Sequence, residues 1–201
     1  MIKKPETKRQ KESALKRKFI YDKSMELFIE QGYANTTISD ISKATGISVG
    51  SIYHHYLNKE AILLEHNYHI SNVAELGKDI EEKIKKPYDA ILKFLLDYAS
   101  ELEKIGVRLT AQIFRIYDSP SMTPGYTHKI ISYYKDLTHF IKRAQEFGTF
   151  DISLTAEEAT MYLFTISRGL VYEWCLYHGS YSLREKSSAI MPRILKTFTA
   201  E

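Results

Sequence analysis

His54 and His55 stand side by side next to Tyr53 in the stretch GISVGSIYHHY, residues 46–56. Three such rings could ligate a metal, carry protons, or donate hydrogen bonds to a nucleic acid. Spacing narrows the choice. Neighbours on a helix point about 100° apart, so His54 and His55 cannot both face one metal ion. No carboxylate or nucleophile nearby has an evident reason to face them, which leaves little for acid–base chemistry. The other histidines are scattered. His66 and His69 share a helix face, but His128, His139 and His178 lack the spacing that completes a ligand set. The sequence is read as having no catalytic residues, no metal site and no cofactor.

The elements that position these rings explain the pattern better. Thr37-Ile-Ser-Asp40 is a capping box that starts a short helix through Ala44. Gly46 breaks that helix, and Ser48 caps a second one through about Tyr56. Two short helices joined by a tight turn form a helix-turn-helix. Ile41, Ala44, Ile47 and Ile52 have the spacing to lock the pair against a preceding helix, in which Ile20, Ser24, Leu27, Phe28 and Gln31 share one face. That leaves Val49, Gly50, Ser51, Tyr53, His54 and His55 on or near the outside. The start of such a helix can enter the major groove of double-stranded DNA. Val49 and Ser51 would lie nearest the bases, and Gly50 allows close backbone approach. Lys59, in the first turn of the next helix, adds a cation beside exposed amides.

Charge distribution agrees. The net charge is only +3, yet residues 1–60 hold 11 Lys/Arg against 7 Asp/Glu, and the rest 17 against 18. The excess is densest at Lys3, Lys4, Lys8, Arg9, Lys11, Lys16, Arg17 and Lys18, a basic arm suited to phosphates. Eleven of fifteen tyrosines, seven of nine phenylalanines and the one tryptophan follow residue 60. The chain therefore divides into a basic head, residues 1–60, and an aromatic body, 61–201. A lone cysteine, Cys175, excludes an internal disulfide, and no apolar run is long enough to span a membrane, so a cytoplasmic location is expected.

Nearly every segment has helical periodicity, and the fold class is all-α with about nine helices. Asn58 caps a helix from Lys59 to about residue 76. Pro87 opens one to Lys104, with Ile91, Leu95, Tyr98 and Leu102 on one side, and Gly106 precedes another to Tyr117. A loop spans residues 118–125, and a long helix follows to Phe147. Thr155-Ala-Glu-Glu158 and Ser182-Leu-Arg-Glu185 are two further capping boxes. Pro192 falls inside the last helix.

Arg17 to Leu63 closely resembles the N-terminal domain of the TetR family of bacterial transcriptional regulators. The likeness rests on Leu27-Phe28, Gly32-Tyr33, Thr36-Thr37, Ile41, Ala44, Gly46-Ile47-Ser48, Gly50, Tyr53, His55-Tyr56, Lys59-Glu60 and Leu63. Thr45 and Leu57 depart from the common pattern. The resemblance implies that Thr37, Ser48, Tyr53, His55 and Lys59 anchor phosphates, and that Val49, Gly50, Ser51 and His54 lie at the bases. It also implies a homodimer through the last two helices, residues 156–178 and 183–198, with Arg168, Gly169, Leu170, Ile190 and Ile194 at the interface.

Phe94, Tyr98, Phe114, Tyr117, Tyr134, Tyr162 and Trp174 fall on apolar faces of several body helices. Together they could line a site for a small-molecule effector. Arg108, Arg115, Arg168 and Glu173 interrupt apolar helices and could meet a charged group on it. Two readings stay open: a repressor released from a pseudo-palindromic operator by a small molecule, and a DNA-binding regulator whose body only dimerises or binds a protein.

Overall fold

The computed structural model describes residues 7–70, 86–117 and 124–199, and of residues 67–70 and 124–133 the backbone alone. Among the described residues there are nine α-helices and no strand: α1 Lys8–Glu30, α2 Ile38–Thr45, α3 Val49–His55, α4 Lys59–Ile70, α5 Pro87–Ile105, α6 Val107–Tyr117, α7 Pro124–Glu146, α8 Ala156–Leu176 and α9 Leu183–Lys196. They fall into two compact units, residues 1–65 and 66–201. The division falls after Glu65, within α4. Lys3, Lys4, most of the expected 118–125 loop and the expected end of α4 at residue 76 lie outside the described residues. Pro124 and Gly125 belong to α7, where proline's fixed φ suits a first turn.

The first unit is built on α1. Ile20, Tyr21, Ser24, Met25 and Phe28 form its buried face. Ser24 is polar yet inaccessible because its hydroxyl donates to the Ile20 carbonyl at 2.7 Å. The expected basic arm is helical from Lys8 onward. Thr7 and Gln10 form a capping box that starts α1 well before the apolar pattern begins. α2 and α3 pack against this frame through Ile41 and Ile52, both fully buried. Ala44, expected to face inward, is exposed. The turn is closed instead by hydroxyls: Ser42 donates to the Ile47 carbonyl at 2.7 Å, and Thr45 donates to Ile41 and accepts from the Ile47 amide. Ala61, Ile62, Leu63 and Leu64 are all buried, so α4 is covered on every side there.

In the second unit α5 packs on α7 and α9, and α8 on α7. Ile91, Leu95, Leu102, Leu137, Ile141, Leu163, Leu183 and Leu195 make the core. Thr155 and Glu158 form the expected capping box at α8. At α9 only half of one forms. Ser182 Oγ accepts from the Glu185 amide, while Glu103 of α5 takes the Ser182 hydroxyl at 3.3 Å and the Arg184 amide at 2.9 Å. A carboxylate from another helix thus replaces the local one.

Ile52 is the plug that docks α3. Ile52→Ala is expected to cost about 2–5 kcal/mol, read as a lower urea midpoint; an unchanged midpoint would mean that α3 docks by other contacts.

Candidate nucleic-acid interface

α3 is only seven residues long, so its geometry depends on what holds its ends. At the start, Gly46 adopts φ +68°, a left-handed conformation that reverses the chain after α2. Ser48 then caps α3, its Oγ accepting from the Ser51 amide at 3.4 Å. With Ile52 inward, the outer side presents Val49, Gly50, Tyr53 and His54, all exposed; Ser51 is half-buried. A Cβ added at Gly50 would meet nothing within 4 Å, so the outer surface there is open to another molecule. Thr37 is exposed at the start of α2, where its hydroxyl and amide engage the Asp40 carboxylate at 2.6 and 2.9 Å. These hydrogen bonds hold the Asp40 carboxyl below its usual range.

The other end of α3 is held from a distance. Arg17 Nη1 donates to the His55 carbonyl at 2.7 Å, one of the acceptors a helix C-terminus leaves unpaired. Nε and Nη2 of the same guanidinium bind both oxygens of Glu65 at 3.0 and 2.6 Å. Tyr56 lies under that guanidinium at 4.4 Å, and its hydroxyl donates to the Arg17 carbonyl at 3.1 Å. Sequence reading placed Arg17 in a basic arm and missed this arrangement. His55 is half-buried beside it, and its ring meets that of His54 edge-on at 5.4 Å. Burial, followed by the positive charges of His54, Lys16 and Arg17, holds the His55 imidazole below its ordinary range.

Lys59 has a second task. Its Nζ donates to the carbonyls of Tyr33 and Thr36, both at 2.8 Å, and lies 4.2 Å from the centre of the Tyr33 ring. Two of its three N–H groups therefore close the α1–α2 connection. Burial and the neighbouring Glu60 carboxylate push the Tyr33 phenol upward. The expected anchors at Thr37, Ser48, Tyr53, His55 and Lys59 thus differ in kind. The Tyr53 side chain projects freely, Thr37, Ser48 and Lys59 also serve as caps or braces, and the His55 ring is half-buried while its carbonyl is held by Arg17.

The body residues separate likewise. Phe94 packs edge-on to Phe140 at 5.6 Å. Tyr98, Tyr134 and Phe164 form an aromatic cluster, with centroids 5.6 Å apart for Tyr98–Phe164 and 4.5 Å for Tyr134–Phe164. Burial pushes the Tyr98 phenol up to about 12. Phe114 packs against the same core, and Tyr117 is half-buried on α6. Trp174 is a core residue whose indole N–H already donates to the Tyr181 carbonyl at 2.8 Å. Tyr162 departs from the expected lining: it is 43% exposed and lies on the outer side of α8. Two positions on α8 is enough to place it on the opposite side from Phe164.

Of the expected interface residues, Arg168 lies over Phe164 at 4.6 Å and hydrogen-bonds Tyr98, so it faces the aromatic cluster. Leu170 packs against the core. Gly169 is exposed with open space around it, and Ile190 and Ile194 are half-buried. Met161, Tyr162, Thr165, Ile166, Ile194 and Phe198 line a groove of ≈ 530 Å³. Tyr172 and Leu176, each 58% exposed, continue this apolar side of α8. Arg108 and Arg115 are exposed, and Glu173 pairs with Lys186 at 2.7 Å, so none of these three waits inside for a ligand. The side chains of His69 and His128 lie outside those described. Among the described residues no cluster of three or more His, Cys, Asp or Glu could hold a metal, and no helix is long and apolar enough to cross a membrane.

Residues 20–66 match the family of bacterial regulatory proteins, tetR family. The chain is 35% identical over 97 residues to the biofilm operon icaADBC HTH-type negative transcriptional regulator IcaR of Staphylococcus epidermidis, covering 46% of this chain and 52% of that one. It is 40% identical over 80 residues to the uncharacterized HTH-type transcriptional regulator YerO of Bacillus subtilis, covering 39% and 28%. The matched stretch thus spans about half the length of the first curated relative and less of the second. Among solved structures, the TetR-family repressor FadR of Thermus thermophilus, in complex with lauroyl-CoA, is similar with a TM-score of 0.71. That likeness has 21% identity and covers 89% of this chain and 92% of FadR. The regulator FadR of Bacillus subtilis, in complex with stearoyl-CoA, gives 0.65 at 20% identity over 89% and 97%. At these identities the structural likeness establishes the fold.

The bracing role of Lys59 is measurable without DNA. Lys59→Met is expected to lower stability by about 1–3 kcal/mol by removing the charged donor that the Tyr33 and Thr36 carbonyls share; a lysine serving phosphates alone would leave the unfolding midpoint in place.

Proposed function

We propose that this chain, whose residues 20–66 match the tetR family of bacterial regulatory proteins, is a homodimeric, ligand-responsive repressor that binds a pseudo-palindromic operator. The observation that carries this reading is α3 itself, docked by Ile52 with Val49, Gly50, Tyr53 and His54 exposed. In the complex Val49, Gly50, Ser51 and His54 face the bases. Thr37, Ser48, Tyr53, His55 and the remaining N–H of Lys59 face phosphates. One short helix reads few base pairs. Two copies, about one DNA turn apart, read a two-fold site.

The second copy is supplied by the apolar side of α8 and α9. Its groove, together with exposed Tyr172, Leu176 and Gly169, supports a helix-on-helix interface between identical chains. Tyr98, Tyr134, Phe164 and Arg168 belong to the effector region, where an apolar-bodied molecule would bind. The acyl-CoA ligands of the two FadR structures support an effector of that character. Such a molecule releases DNA by the difference in its affinity for the DNA-competent and DNA-incompetent states, and DNA weakens its binding by the same factor.

DNA selected by the protein from a random-sequence pool is expected to bind with an affinity that falls steeply as salt rises. His54→Ala should relax sequence preference, whereas His55→Ala should weaken all sequences alike. Binding indifferent to both changes would overturn the reading.

His55 also sets a pH dependence. Its folded value lies below the ordinary 6.5, so its neutral form favours the folded state above pH 6.5. That contribution fades as pH falls through the folded value. DNA acts in the opposite sense, since a phosphate favours the protonated ring. Affinity should therefore tighten as pH drops below 6.5, and His55→Gln should flatten that part of the profile.

A further inference from the structure

We propose that Arg17 is the positioning residue of the reading helix and that Glu65 is the point through which α4 sets its pose. This inference rests on the proposed DNA-reading role of α3. The geometry is a fork with all three prongs used. Nε and Nη2 are fixed by the two oxygens of Glu65, and that leaves Nη1 directed at the His55 carbonyl at 2.7 Å. Glu65 is only 6% exposed, so its charge is committed to a buried arrangement rather than to solvent. A cation at the C-terminus of α3 also meets the negative end of the helix dipole. Tyr56, where the chain leaves α3 in an extended conformation, is clamped from both sides of the same residue: its ring by the guanidinium, its hydroxyl by the Arg17 carbonyl.

Three elements therefore meet at one side chain, α1 through Arg17, α3 through His55 and α4 through Glu65. α4 continues from Glu65 to Ile70, past the end of the first unit. A displacement of Glu65 along or about α4 reorients the guanidinium, and the His55 carbonyl loses its donor or moves with it. His55 and His54, adjacent to the anchored carbonyl, are the reading-helix residues that shift first. Arg17 itself reaches no DNA in this account. It acts through α3.

The test uses the full chain and three variants, Glu65→Gln, Arg17→Lys and Arg17→Met. Hydrogen exchange in the absence of DNA should rise at residues 52–56 in all three, well beyond any rise in the core of the second unit. Arg17→Lys should not rescue, because a single ammonium cannot hold Glu65 and the His55 carbonyl in fork geometry. On DNA selected by the wild type, the preference for that sequence over random DNA should fall about tenfold or more, as loss of one charge-assisted hydrogen bond implies. The slope of affinity against salt should stay unchanged. A slope reduced by about one would make Arg17 a phosphate contact and overturn the proposal. So would full rescue by lysine, or exchange at residues 52–56 no faster than elsewhere. If the wild type selects no DNA, the proposed function fails, and the exchange data still judge the clamp.

Discussion

A helix of seven residues cannot maintain itself in water, because nucleating it costs more than its few hydrogen bonds return. Everything in the first unit follows from that constraint on α3. Its start is capped by Ser48, its middle is pinned by Ile52, and its end is bound by Arg17. Each brace comes from a different physical source: a local hydroxyl, buried apolar area and a charge-assisted hydrogen bond. With all three in place, the residues facing outward are free of structural duty. Tyr53 and His54 can then be chosen for what they touch.

Several polar residues of this unit combine a bracing task with a proposed DNA contact. Thr37 caps α2 and lies exposed where a phosphate can approach. Lys59 closes the α1–α2 connection with two donors and keeps a third. Economy of this sort suits a unit of about sixty residues, whose small core leaves little stability to spare. The second unit has the opposite character. Its aromatic cluster of Tyr98, Tyr134 and Phe164 holds the Arg168 guanidinium, while α8 turns Met161, Tyr162, Tyr172 and Leu176 outward. One helix thus carries both the side proposed for a partner chain and the side proposed for an effector.

What could be read from the sequence was governed by locality. Thr37, Gly46, Ser48 and Thr155 act on residues within four positions, and their capping roles were legible. The Thr7–Gln10 box has the same signature and could have revealed the true start of α1. The Arg17–Glu65 pair spans 48 residues and has no local signature, so Arg17 read as one more basic residue. Glu103 displaced Glu185 at the start of α9 for the same reason. Tyr162 faces outward and Arg168 faces the aromatic cluster because small angular differences on α8 decide which side a residue faces, and apolar composition alone does not resolve them. Ala44 was expected inside by its spacing, but hydroxyl bonds close the turn without it.

The claim that α3 is the surface that reads DNA is tested most directly by footprinting DNA selected from a random pool, with the wild type and with Gly50→Glu. Gly50 is exposed, and a side chain there meets nothing in the chain, so the substitution should leave the fold intact while placing a carboxylate against the bases. Two protected segments about one helical turn apart are expected for the wild type and none for the folded variant. An unchanged footprint from Gly50→Glu would contradict that claim.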